Sequence, residues 1–393
     1  MVALRALGFA LIVSLVSTVI ASPVERAASA TCAEIQVRKE WRALTVEERL
    51  GYLQAVLCLQ KIPPHETTGI ATTRYEEFQA THIKLTDRVH FVGHFLAWHR
   101  QLGTYYGKAL REECGYKGPF PYWDWSIDAD SSKPLAQSPL FDPVTGFGGD
   151  GVPGTYTLPP DPKNESAVPR PYAYKGCVRT GPFKDAVSHL GPGKLKTTHC
   201  LVRGIEETYR PALRSSNVRN TLNTSNYKAF DAAVNSLMNG IHGSGHFIVG
   251  GEMTNVYSAG IDPLFYLHHA NLDRIWWVWQ QADRKNRLTD IWGPTTQNGP
   301  TQVTLDFDMD FPALGPNVKV GEVMDSFEAP SCFMYQYCIE LLVISCVRSP
   351  IKFVFDFEID AIITRLVALT LQLLDNVLTA NKAQTTHNSY KGS

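Results

Sequence analysis

The chain has 393 residues, 44% of them hydrophobic and 19% charged, and carries a formal net charge of −1. That length and apolar content suit one large domain or two small ones with a sizeable core. Basic and acidic residues nearly balance, at 37 and 38, and no basic block stands out, so nothing argues for nucleic acid or an anionic membrane as partner.

The first 21 residues read as an export signal. Arg5 supplies the positive start, Leu7 to Ile20 is apolar, and Ala21 closes a small-residue cleavage pattern. The run is too short and wrongly flanked for a membrane span. A secreted chain would hold its eight cysteines (Cys32, Cys58, Cys114, Cys177, Cys200, Cys332, Cys338 and Cys346) in an oxidising compartment that favours disulfides. None forms a CxxC pair, which argues against a zinc ribbon or a thioredoxin motif. Asn164-Glu165-Ser166 and Asn223-Thr224-Ser225 are glycosylation acceptors in such a chain.

Residues 33–60 read as helix from the spacing of Val37, Trp41 and Leu44 and then of Leu50, Leu53, Val56 and Leu57, with Thr45 as an N-cap before Glu47 and Glu48. Lys61-Ile62-Pro63-Pro64 ends it. Tyr75 to His82 begins a second helical stretch, with His82 at its end, and Leu96 to Glu113 is a third, closed by Cys114-Gly115. Lys117 to Pro171 is rich in Pro, Gly, Asp and Ser and reads as loop. Leu201 to Leu213 and Tyr227 to His246 read as helical. Ser258 to Asp283 carries the clearest helix, with Asp262-Pro263 as cap and first-turn proline. Residues 300–335 alternate as short strands, for example Val303-Thr304-Leu305-Asp306-Phe307. The domain looks complete by Tyr335. Beyond about residue 337 the chain turns β-prone and apolar, and Ile359 to Leu378 reads as a helix whose Asp360, Arg365 and Asp375 make it a poor membrane span. Residues 338–393 are therefore an extension, either a docking segment or a stretch read through from an intron.

Six of the twelve histidines fall into two groups, His82, His90 and His99, and then His242, His246 and His269. His242 and His246 are four apart, so on a helix both imidazoles leave one face a turn apart, as two ligands of one metal would. Gly243 stands where a zinc protease needs its glutamate base, which disfavours that chemistry. His90 and His99 are nine apart and would face about 180° apart on one helix. His90 must then precede the helix that carries His99, with Phe91-Val92-Gly93 as the join. His94 belongs to the core or pocket wall, His268 to the core, and His65, His189, His199 and His387 have no ligand pattern. Asp273, four residues after His269, is placed to orient an imidazole or a neighbouring group. All-imidazole sites disfavour calcium and magnesium and suit zinc or copper; two such triads in a secreted chain favour copper.

At these residues the chain resembles the tyrosinase, catechol oxidase and haemocyanin family of dicopper proteins. The resemblance rests on Phe95-Leu96-Ala97-Trp98-His99-Arg100, on Pro121-Tyr122-Trp123-Asp124-Trp125, on His242-Gly243-Ser244-Gly245-His246 with Val249-Gly250-Gly251, and on Asp262 to Arg274 with Trp276-Trp277. Leu110-Arg111-Glu112-Glu113-Cys114-Gly115-Tyr116 is similar to secreted fungal members, and Phe333-Met334-Tyr335 to the motif that closes the family's catalytic domain. The resemblance covers residues 32–335. It implies a mainly α fold, a four-helix bundle around a dicopper site with long loops and a few short strands. It implies two copper ions, one on His82, His90 and His99 and one on His242, His246 and His269, and oxidation of a small phenol to a quinone by O2. Phe265 is then a partial lid over the first copper, and Phe247 a stacking surface for substrate. The chain departs from the family in two places. Arg88 stands where members often have a cysteine joined to the second ligand. Gly243, and Asn235 at the position aligned with a family glutamate, replace the Asn and Glu thought to hold a water that deprotonates a monophenol. With a phenol pKa near 10, their loss favours o-diphenols, or o-aminophenols, over monophenols. The same six ligands serve an oxygen carrier of haemocyanin type, and the tail is also compatible with an enzyme kept latent.

Overall fold

The computed structural model describes residues 32–66, 69–236 and 240–336. The export segment, Cys338, Cys346, His387 and the expectations for the tail lie outside the described residues.

Helices dominate. They are α1 (Val46–Leu59), α2 (Arg74–Val89), α3 (Phe95–Glu112), α4 (Trp125–Asp130), α5 (Ser215–Leu222), α6 (Tyr227–Val234), α7 (Ile241–Val249) and α8 (Leu264–Gln281). The helix expected over 33–60 starts late. Gln36–Glu40 is instead a strand, and a 3-10 turn at Trp41–Ala43 precedes α1. The apolar spacing that resembled a helix comes from burying Trp41 while Val37 stays exposed. Thr45 does cap α1, in a reciprocal capping box with Glu48. The strand lies between two short parallel partners, Pro121–Tyr122 and Phe333–Tyr335. Such partners are remote in sequence, so no local pattern announces them.

The second helix also differs from expectation. It continues past His82 to Val89, which puts His82 mid-helix and His90 at the C-cap. The join to α3 runs as expected through Phe91, Val92 and Gly93, with Phe91 at φ 57°. Gly93 is obligatory there, because a Cβ would lie 2.5 Å from Val303 Cγ1 and 2.6 Å from the Trp292 carbonyl. The stretch 201–213 is a two-residue strand followed by a 3-10 helix, Glu207–Leu213. The helix expected over 227–246 is two helices, α6 and α7, separated at 235–240. Strands in 300–335 are only two or three residues long, and Val303–Phe307 is not among them.

Two buried ionic knots set α8. Arg203 and Asp262 pair with both side chains fully buried, and Asp262 also accepts the Leu264 N–H (3.0 Å) at the helix start. Further along, Asp273 binds Arg100 of α3 (2.5 Å), Arg38 of the central strand (3.1 Å) and the Tyr335 hydroxyl (2.6 Å). Disulfides join Cys32 to Cys332, Cys58 to Cys114 and Cys177 to Cys200. No helix among the described residues is long and apolar enough to cross a membrane.

Candidate metal centre

Four helices bring the histidines together. His82 is on α2 with His90 at its cap, His99 on α3, His242 and His246 on α7, and His269 on α8. Candidate ligand nitrogens of His82, His90 and His99 lie within 4.8 Å of one another, and so do those of His242, His246, His268 and His269. The two groups adjoin. The rings of His99 and His269 stack at 4.3 Å, and those of His90 and His242 are nearly parallel at 6.3 Å. Phe95 packs between them, 4.6 Å from both His99 and His242.

Hydrogen bonds aim the rings. Nδ1 of His82 donates to the Tyr257 carbonyl (2.8 Å), that of His90 to Thr86 (3.0 Å) and that of His99 to Phe95 (2.9 Å). A carbonyl can only accept, so each proton sits on Nδ1 and each Nε2 keeps its lone pair. In the second group His242 Nδ1 meets Asn235 Oδ1 at 2.8 Å. Nε2 of His82, His99 and His242 is buried without a partner, and Nε2 of His246 lies 3.2 Å from Nε2 of His269. Buried nitrogens left unpaired are costly, and a cluster of them facing one another fits the binding of a metal cation. The donor set is imidazole alone, which fits copper or zinc.

Burial drives the imidazoles toward their neutral, ligand-competent form. It is the largest cause in every case, pushing His82 down to about 3 and His90 to about 4, and His99, His242, His246 and His269 well below the ordinary histidine range.

The other candidates separate clearly. His94 turns away to the Arg88 carbonyl (3.0 Å) and packs on Phe307, as expected of a core residue. His268 falls in the second group by distance, but its Nδ1 accepts the Trp125 indole N–H (3.2 Å) and it faces the His242 backbone carbonyl. Its Nδ1 lone pair is spent on α4, so it supports α7 instead of offering that nitrogen to a metal. Gly245 lets it do so, because a Cβ there would lie 2.2 Å from the His268 ring. Asp273 reaches no imidazole. Its oxygens go to Arg38, Arg100 and Tyr335, because the two buried guanidiniums outcompete a ring that needs no charge partner. His65, His189 and His199 each pair with a glutamate.

Four of the histidines, His82, His90, His242 and His246, line the floor of a cavity of about 230 Å³. Phe265 lies on its wall against both groups, nearest to His82 at 5.1 Å in one and His269 at 4.3 Å in the other. Phe247 also lines the cavity, but the Arg170 guanidinium covers its ring at 3.8 Å. Gly243 opens the floor, since a Cβ would meet only the Phe247 ring edge at 3.2 Å. Arg170 and Tyr209 escaped the sequence reading. Arg170 sits in a loop and Tyr209 in the 3-10 helix Glu207–Leu213, neither within a motif, so only the tertiary structure brings them to the pocket.

Fold and site together define a helical protein with two adjoining all-histidine clusters beneath an open cavity. Residues 72–282, more than half the chain, match the common central domain of tyrosinase. A tyrosinase, Tyrosinase P of Aspergillus terreus, is 34% identical over 335 residues, covering 77% of this chain and 93% of its own. An N-acetyl-6-hydroxytryptophan oxidase of Emericella nidulans is 33% identical, covering 76% and 92%. A polyphenol oxidase variant from Thermothelomyces thermophila superposes with a TM-score of 0.67 at 29% identity, covering 77% of this chain and 88% of that one. The chain belongs to the tyrosinase family of type 3 dicopper phenol oxidases.

Proposed function

We propose that this protein is a secreted dicopper oxidase that converts o-diphenols to o-quinones. His82, His90 and His99 would hold one copper, and His242, His246 and His269 the other. The observation that carries the reading is the meeting of two imidazole clusters, with unpartnered nitrogens, under a cavity large enough for a phenol. The copper pair, when bound, supplies the electron transfer to O2. Two o-diphenols each lose two electrons and two protons, and one O2 becomes two waters.

The protein's own groups bind and orient. Phe265 and Phe95 supply apolar surface beside the histidines for an aromatic ring. Asn235 fixes the His242 ring through Oδ1 and donates through Nδ2 to Asp231 (2.9 Å). The Asp231 carboxyl is itself pushed up to about 7 by burial. Among the described residues no carboxylate lines the cavity. No base is therefore placed to take a proton from a simple phenol, whose pKa lies near 10, and this supports diphenol over monophenol oxidation. Export is supported by the three disulfides and by exposed Asn164 and Asn223.

The test is copper reconstitution of the purified protein, followed by oxygen uptake with catechol and with tyrosine. The reading expects two coppers per chain, quinone from catechol and slow or no turnover of tyrosine. Two bound coppers with no oxidation of either compound would point to an oxygen carrier. Rapid tyrosine oxidation would overturn the argument from Gly243 and Asn235.

A further inference from the structure

The cavity carries one feature that phenol oxidation alone does not require. Among the described residues, Arg170 is the one Lys, Arg, Asp or Glu side chain on its wall. The guanidinium is held, not loose. It lies 3.8 Å from the centre of the Phe247 ring, its Nε donates to the Tyr209 hydroxyl at 3.0 Å, and Tyr209 packs on Phe247 at 5.2 Å. The segment leading into it is fastened as well. Buried Asn255, another wall residue, donates through Nδ2 to the carbonyls of Ser166 (2.7 Å) and Ala167 (3.3 Å).

Arg170 differs in this from the buried arginines. Arg38, Arg100 and Arg203 pair with aspartates and Arg74 with glutamates, whereas Arg170 has no carboxylate partner among the described residues. Glu206, which shares the neighbourhood of Tyr172 with Arg170, accepts the Thr208 N–H instead. A guanidinium stacked on one ring and tied through Nε still presents its two terminal nitrogens, the fork that matches a carboxylate. Phe247 directly follows His246, so this fork stands next to the metal-site helix.

We propose that Arg170 selects substrates that carry a carboxylate on the ring or on a short side chain. The aromatic ring would rest over the histidines with its anionic substituent against the guanidinium. With no acidic wall residue, an amine at the same position meets only like charge. The catalytic part of this inference rests on the oxidase reading; the anion site does not.

Two measurements separate them. The metal-free protein is titrated calorimetrically with 3-phenylpropionate and with the neutral 3-phenylpropanol, neither of which can be oxidised to a quinone. The acid is expected to bind about tenfold tighter, a difference of about 1.4 kcal/mol. That preference should weaken with salt, disappear in Arg170→Gln and partly survive in Arg170→Lys. The copper-loaded enzyme is then assayed with 3-(3,4-dihydroxyphenyl)propionate, 4-methylcatechol and dopamine. Arg170→Gln should lower the acid-to-neutral ratio of kcat/KM about tenfold, mainly through KM, and should narrow the gap between acid and amine. Equal binding of acid and alcohol by the wild type would overturn the proposal. So would an equal loss for both in Arg170→Gln, which would mark Arg170 as packing for Phe247. If the binding preference holds and no diphenol is oxidised, the anion site stands and the oxidase reading fails.

Discussion

An imidazole grips a metal only when it is neutral and one nitrogen is free. Burial supplies the first condition for all six histidines, and a backbone carbonyl or Asn235 supplies the second for His82, His90, His99 and His242. The linkage has a definite sign. An unfolded histidine titrates near 6.5, while His82 and His90 in the fold are held to about 3 and about 4. Between those values the unfolded chain takes up protons that the folded chain refuses, so stability falls as pH falls below 6.5. Above 6.5 both states are neutral and the histidines contribute no slope. Eight buried histidines act in this sense, against two carboxyls that burial raises, Asp231, to about 7, and Glu40, which act in the other. The metal-free protein should therefore show a urea midpoint that drops steadily from pH 6.5 to 5, before ordinary carboxylates titrate. A flat midpoint over that interval would contradict neutral buried rings. Single substitutions sort ligands from bystanders. His269→Ala should cut bound copper from two per chain to about one, as read by elemental analysis, while His94→Gln should keep both.

At the scale of helices, the site depends on how closely α7 approaches α8. Gly245 faces the His268 ring so tightly that a methyl group would sit 2.2 Å from it. Gly245→Ala must push α7 outward or expel His268, and either shift moves His242 and His246. The expected result is loss of the second copper with the first retained, and a thermal midpoint lower by several degrees, since overpacking costs about 1–3 kcal/mol. Unchanged copper content would show that α7 is not pinned this way. Asp273 ties α8 to α3 and to the central strand. Asp273→Asn leaves Arg38 and Arg100 short of their counter-charge in a buried setting, a defect worth about 3–5 kcal/mol in chemical denaturation. These elements also show what a sequence can disclose. The helical spacing of His242 and His246, and the cap at Asp262, are local facts, and local patterns display them. That His90 and His99 could not share one straight helix followed from angle alone. The expected end of α2 at His82 was too early: nothing in the sequence stops a helix before His90, and Ile83, Leu85 and Val89 continue its buried face. The strand at Gln36–Glu40 was read as helix because its partners, Pro121–Tyr122 and Phe333–Tyr335, are far away in the chain. Spacing offered Asp273 an imidazole or a neighbouring group; its partners are the neighbouring groups Arg100, Arg38 and Tyr335, from three other elements.

For the whole described domain, the two ends are joined to each other. Gln36 pairs with Phe333 in parallel register, and the Cys32–Cys332 disulfide lies just outside that pairing, closing a loop of sequence separation 300. The same seam holds Tyr335, whose hydroxyl meets the Asp273 knot at the middle of α8. Closure of so long a loop removes much chain entropy from the unfolded state, and such a bond stabilises by about 2–5 kcal/mol. The double substitution Cys32→Ser with Cys332→Ser should accordingly lower the denaturation midpoint substantially while copper binding and catechol turnover persist at low temperature, because no histidine touches the seam. The Cys58–Cys114 bond closes a much shorter separation, 56, and its removal should cost less. If opening the seam abolished copper binding while the domain stayed folded by circular dichroism, the path from Tyr335 through Asp273 and Arg100 to His99 would be holding the ligands as well as the fold.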